Sequence, residues 1–148
     1  MKLEKLNSWL SLLANLGVLA GIVFLAVELD QSNRQAQSNA YQARINEIDQ
    51  AGREYAVSEI LPPIYVKIEE TGLESLTPEE LERVNAWEAS RAARMNGQLV
   101  QYRNGFLDEE SYQQMIAVGV RIYPLWEELG RTQSSVWSEL MQVIRDAM

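Results

Sequence analysis

Nineteen consecutive residues without a charge, 9–27 (WLSLLANLGVLAGIVFLAV), constrain this chain more than any other feature. At 1.5 Å per residue a helix of that length reaches roughly 28 Å, close to the thickness of a bilayer's hydrocarbon core. The run is apolar on every face, whereas a surface helix of a soluble bundle keeps a polar stripe. Its ends carry boundary residues: Trp9 is an interfacial aromatic, Lys2 and Lys5 precede it, and Glu28, Asp30 and Gln31 close the other side. The apolar core exceeds the roughly 7 to 15 residues of a cleaved signal, and no Ala-x-Ala site follows it. The sequence therefore predicts a retained, single transmembrane anchor over residues 1–29.

Inside the span, Gly17 and Gly21 form a small-xxx-small pair one helical turn apart, with Asn15 nearby as a hydrogen-bonding group. These three residues are the expected site of contact with a second membrane helix. Glu28 stands where its side chain reaches the headgroups. Lys2 and Lys5 on one side are balanced by Arg34 and Arg44 on the other, so the positive-inside rule favours neither orientation.

Beyond the anchor, residues 30–148 are long enough to bury a modest core. Hydrophobic residues make up 47% of the chain and charged residues 23%, a balance that folds. Thirteen Lys and Arg stand against 21 Asp and Glu, a net charge of -8. Nucleic acid is excluded as a partner, because a phosphate backbone needs a concentrated basic surface. Anionic headgroups repel the bulk of the domain as well. The chain has no cysteine and no histidine. That removes zinc sites built on those ligands, haem and iron-sulfur ligation through them, thiol nucleophiles, Ser-His-Asp triads and histidine switches, and no cofactor is expected.

The pattern after residue 30 is helical throughout. No proline falls before Pro62, and Tyr41, Ile45, Ile48, Gly52 and Tyr55 recur at helical spacing, so the first helix is expected to leave the membrane as a polar stalk and to end at Pro62 and Pro63. A short helix over 64–71 follows and stops at Gly72. Thr77, Pro78, Glu79 and Glu80 announce the next helix, with a stripe of Leu81, Val84, Ala92, Met95, Leu99 and Tyr102 that ends at Asn104 and Gly105. Asp108 caps a helix with the stripe Tyr112, Met115, Ile116, Gly119, Ile122 and Trp126, bent by Pro124, and a last helix runs from about Ser134. With no alternating strand pattern, the fold class is all-α: an N-terminal transmembrane helix continuing into a stalk, then an antiparallel helical bundle over residues 30–148.

The entry LLANLGVLAGIVFLAVEL, the Gln/Asn-rich DQSNRQAQSNAYQA, the acidic start LTPEELERVNAW, the segment RMNGQLVQYRNGFLDEESY and the closing Trp126 with SSVWSELMQVI together resemble a widespread bacterial family of small membrane-anchored proteins known as a domain of unknown function. The resemblance covers nearly the whole chain. It implies a bacterial inner (cytoplasmic) membrane location and a helical domain, and it brings no activity or catalytic residue. Such proteins often place an arginine just beyond the anchor, where this chain has Asp30.

Two features of the domain interrupt the packing pattern. Glu88 falls on the stripe between Val84 and Ala92, with Arg91 one turn on and Arg94 behind it; a structural ion pair between Glu88 and Arg91 is the expected arrangement. Trp87 lies off that stripe between Ala86 and Ala89, as an exposed aromatic anchor for another protein would. The acidic clusters Glu79, Glu80, Glu82 and Asp108, Glu109, Glu110 sit at helix N-termini, where the helix dipole accounts for them without a metal. The sequence thus favours a non-enzymatic interaction module or accessory subunit whose partners are lipid and other membrane subunits or its own copy. The alternatives are a small homo-oligomeric pore or ion-responsive membrane protein using Asn15 and Glu28, and a carboxylate/arginine enzyme or ligand-binding bundle around Glu88.

Overall fold

A computed structural model describes the backbone of residues 2–148 and the side chains from residue 6 onward; the side chains of Lys2 and Lys5 lie outside the described residues. Five α-helices and three short 3-10 turns make up the chain, with no strand among the described residues, so the fold class is all-α. The helices are α1 (Lys2–Val57), α2 (Leu61–Thr71), α3 (Pro78–Arg103), α4 (Glu109–Glu128) and α5 (Ser138–Asp146). The chain divides into two units, Met1–Asn39 and Ala40–Met148.

The first unit is helix α1 up to Asn39. Its most apolar window is long and apolar enough to cross a membrane, and none of that window is buried by the chain. Every large apolar side chain between Leu6 and Leu29 is 57% to 65% exposed. Past the apolar run, Arg34 pairs with Asp30 at 2.8 Å, one turn back on the same face.

The second unit holds the last turns of α1 and the other four helices. Pro62 and Pro63 do not merely end α1. The helix stops earlier, at Val57, and the prolines occupy the first turn of α2, where a missing N–H costs nothing because it has no helical acceptor. The Ser58 hydroxyl covers the start by accepting from the Leu61 amide at 3.0 Å. Helix α3 opens with a complete capping box: Thr77 Oγ1 accepts from the Glu80 amide at 3.2 Å, and Glu80 Oε2 accepts from the Thr77 amide at 2.7 Å. It ends at Asn104 with Gly105 at φ 74°, a left-handed turn open to glycine. Asp108 caps α4 by accepting from the Ser111 amide at 2.8 Å.

Helices α3 and α4 run antiparallel. Near their short connection Tyr102 and Tyr112 stack with ring centroids 3.8 Å apart, and far from it Trp126 reaches back to Glu88. The core between α3, α4 and α5 contains Ala92, Met95, Leu99, Met115, Trp126 and Leu140. Gly119 sits where α4 meets α5, against the side chains of Ile144 and Met95. The last helix starts later than its sequence indicates: Ser134 caps a 3-10 turn, Ser135–Trp137, and α5 proper begins at Ser138 because Trp137 holds a non-helical ψ of 18°. Leu81, expected on the α3 stripe, is exposed, and the stripe instead runs Val84, Glu88, Ala92, Met95, Leu99.

Candidate functional site

Helix α3 carries a carboxylate into its buried stripe because Glu88 falls one turn after Val84 and one before Ala92. Glu88 is fully buried, and both of its oxygens accept hydrogen bonds. Oε2 accepts from the Trp126 indole at 2.7 Å. Oε1 accepts from the Tyr65 hydroxyl and faces Arg91 Nη1 at 3.0 Å. Two hydrogen-bond donors from α2 and α4 and the guanidinium of Arg91 therefore replace the water that burial removes, which otherwise costs several kcal/mol for a lone ion. Burial first, then the adjoining Glu88 carboxylate, hold the Tyr65 hydroxyl far above the ordinary phenol range, so it stays a donor.

Arg91 links this cluster to a cleft of about 450 Å³ on the second unit, walled by the end of α1, by α3 and by α4. The walls are largely apolar, formed by Ile45, Ile48, Tyr55, Met95, Met115 and Val118. Three of these, Ile45, Ile48 and Val118, remain exposed at 42%, 50% and 38%. Three guanidiniums also line it, from Arg44, Arg91 and Arg94.

Each arginine is fixed in place by its neighbours. Arg44 is only 6% exposed, donates to Ser111 Oγ at 3.1 Å and lies over the Tyr41 ring at 5.0 Å. Arg94 donates to Ser90 Oγ at 2.6 Å and stacks over the Trp87 ring at 5.6 Å. Burial, then the charge of Arg91, pull the Arg94 guanidinium below its ordinary range, against the opposing pull of Glu47, Glu54 and Glu88. Among the described residues Arg91 alone of the three has a carboxylate at ion-pair distance.

Trp87 does not stand free on the surface. Its indole is half-buried on the cleft wall, tilted against Tyr55 with centroids 5.8 Å apart, because the end of α1 covers the side of α3 that the stripe leaves out. Its Nε1 is buried with no hydrogen-bond partner among the described residues. Gly17 and Gly21 share one face of α1, about 40° apart at 100° per residue, and a methyl group added to either meets nothing within 4 Å. Asn15 belongs to another face, about 120° to 160° away by the same helical geometry, so the helix does not bring the three residues together. The acidic groups at the helix starts have local partners: Glu79 pairs with Arg83 at 2.8 Å and Glu80 with Lys67 at 2.8 Å.

Comparison with protein-family models, with curated proteins and with solved structures finds no match. The site is therefore read from its own geometry. Sequence reasoning reached Glu88, Arg91 and Trp87 but not Arg44 as a cleft residue. Arg44 stands three residues after Tyr41 and four before Ile48, so it interrupts the α1 seam as Glu88 interrupts that of α3. Tyr65 gave no such signal, because its partner is 23 residues away on another helix.

Proposed function

We propose that this chain is a non-enzymatic, membrane-anchored helical protein whose residues 9–27 span a bacterial cytoplasmic membrane and whose Gly17–Gly21 face packs against a second transmembrane helix, from its own copy or from a partner subunit. The observation that carries this reading is the exposure of the whole apolar window of α1, none of which the chain itself buries. Leaving the large side chains from Leu6 to Leu29 in water costs roughly 20 kcal/mol or more, at about 1.5 to 3 kcal/mol each. Lipid removes that cost for the whole run at once.

The two glycines support the second half of the reading. In lipid the hydrophobic effect does not drive helices together, so close backbone approach at small residues matters more. Among the described residues nothing lies within 4 Å of a Cβ added at either glycine. The bundle of the second unit then stands as a domain held at the bilayer, with no chemistry of its own required. Cross-linking in native membranes, followed by isolation in mild detergent, tests the association. A dimer or a fixed partner that is lost in Gly17→Ile and Gly21→Ile is expected. A chain that cross-links to nothing, with or without these substitutions, contradicts it.

A further inference from the structure

The cleft that Arg91 borders has the composition of a ligand site that the proposed membrane role does not use. Its volume of about 450 Å³ falls in the range of small-molecule sites, roughly 300 to 1,000 Å³, which are mostly apolar with a few fixed polar groups. Its apolar walls are open to solvent: Ile45, Ile48 and Val118 each expose more than a third of their surface. Its charged groups are all cations, beside the neutral Tyr55, Gln98, Ser111 and Gln114. Three guanidiniums line it, two of them without a carboxylate at ion-pair distance among the described residues, on a chain whose net charge is -8. The Trp87 indole on the same wall has a buried N–H with no acceptor among the described residues.

A neutral apolar guest would cover the apolar walls but leave Arg44 and Arg94, whose opposing carboxylates (Asp108 for Arg44; Glu47, Glu54 and Glu88 for Arg94) lie beyond ion-pair distance, in a less polar setting, which is unfavourable. A cation would be repelled by Arg44 and Arg94. We propose that the cleft binds an acyl chain with an anionic headgroup, the chain against Ile45, Ile48, Met115 and Val118 and the carboxylate or phosphate held by Arg44 and Arg94. Planar guanidiniums suit either headgroup, since each presents paired N–H donors to two oxygens. Arg91 is held by Glu88 and so positions the edge of the site without contributing a free charge. This inference is independent of whether residues 9–27 cross a bilayer.

Photo-cross-linking on the full chain tests it, in whichever cell fraction holds the protein, so a chain found in the soluble fraction overturns the membrane reading and leaves this test intact. Three probes carry a diazirine in the acyl chain: a fatty acid, a phosphatidylglycerol and an alkyl trimethylammonium. Adducts are mapped by peptide mass spectrometry. The expected result is labelling of peptides containing Ile48 and Met115 by one or both anionic probes, the fatty acid or the phosphatidylglycerol arm naming the source of the headgroup. It should fall about tenfold in Arg94→Gln, the loss of one charged contact. Ile48→Glu, an exposed position where a carboxylate repels the headgroup, should lower it likewise with the helical circular dichroism unchanged. Labelling confined to residues 9–27, equal cleft labelling by the cationic probe, labelling indifferent to both variants, or cleft peptides cross-linked to a second protein chain instead would each overturn the proposal.

Discussion

Trp126 Nε1 and Glu88 Oε2 meet at 2.7 Å across 38 residues of chain, and neither side chain is exposed to solvent. This bond ties the middle of α3 to the end of α4, and it is the reason a carboxylate can sit among Val84, Ala92 and Met95. Removing the acid strands Arg91, the indole and the Tyr65 hydroxyl together. Glu88→Ala is expected to destabilise the domain by about 3 to 5 kcal/mol. Trp126→Phe should cost less from the hydrogen bond alone, about 1 to 3 kcal/mol. Denaturant unfolding of the two single variants and the double variant measures the coupling; additive costs would show that the pair does not act as a unit.

Two helical glycines should respond to alanine with opposite signs. At Gly97, exposed on α3, nothing lies within 4 Å of an added Cβ, so Gly97→Ala is expected to stabilise by about 0.4 to 1 kcal/mol. At Gly119 the new atom would come 2.8 Å from Ile144 Cγ1 and 3.1 Å from Met95 Cε. Overpacking of that kind costs about 1 to 3 kcal/mol, which outweighs the gain in helix propensity. Thermal melts should show Gly119→Ala lowered and partly restored by Ile144→Val. Two melts shifted upward alike would refute the close α4–α5 contact.

The N-terminus of α3 should be sensitive to acid. A hydrogen bond from Lys67, then one from the Thr77 amide, hold the Glu80 carboxyl down to about 2 from its ordinary 4.5. The folded state thus binds fewer protons than the unfolded state between those values. The stabilisation is complete above about pH 5 and is lost as the pH falls toward 2. Glu80→Gln should melt below the unmodified chain at pH 7, and the gap should close between pH 4.5 and 2. A gap that persists unchanged to pH 2 would mean the charge of Glu80 contributes nothing.

Much of this architecture was legible from local chemistry. Thr77, Pro78 and Glu80 announce α3, and Asp108 announces α4, because caps are decided within a few residues. The Val84 to Leu99 stripe made Glu88 conspicuous. What escaped depends on distant partners. The prolines at 62 and 63 read as the stop of α1, whereas they open α2, whose start Ser58 covers from outside the helix. Trp87 looked exposed from its place on α3 alone, because nothing local shows that the end of α1 lies beside it. The cleft is a product of three helices, and its arginines are spread over residues 44 to 94 with no motif to connect them.

The central claim is that the apolar run of α1 lies in lipid, and alkaline carbonate extraction of cell membranes tests it most directly. The full chain should remain in the pelleted bilayer at high pH. Val18→Arg combined with Ile22→Arg, each costing about 2.5 to 3.5 kcal/mol at the centre of a span, should release it. Recovery of the unmodified chain in the soluble supernatant, folded and at its full mass from Met1, would contradict the account.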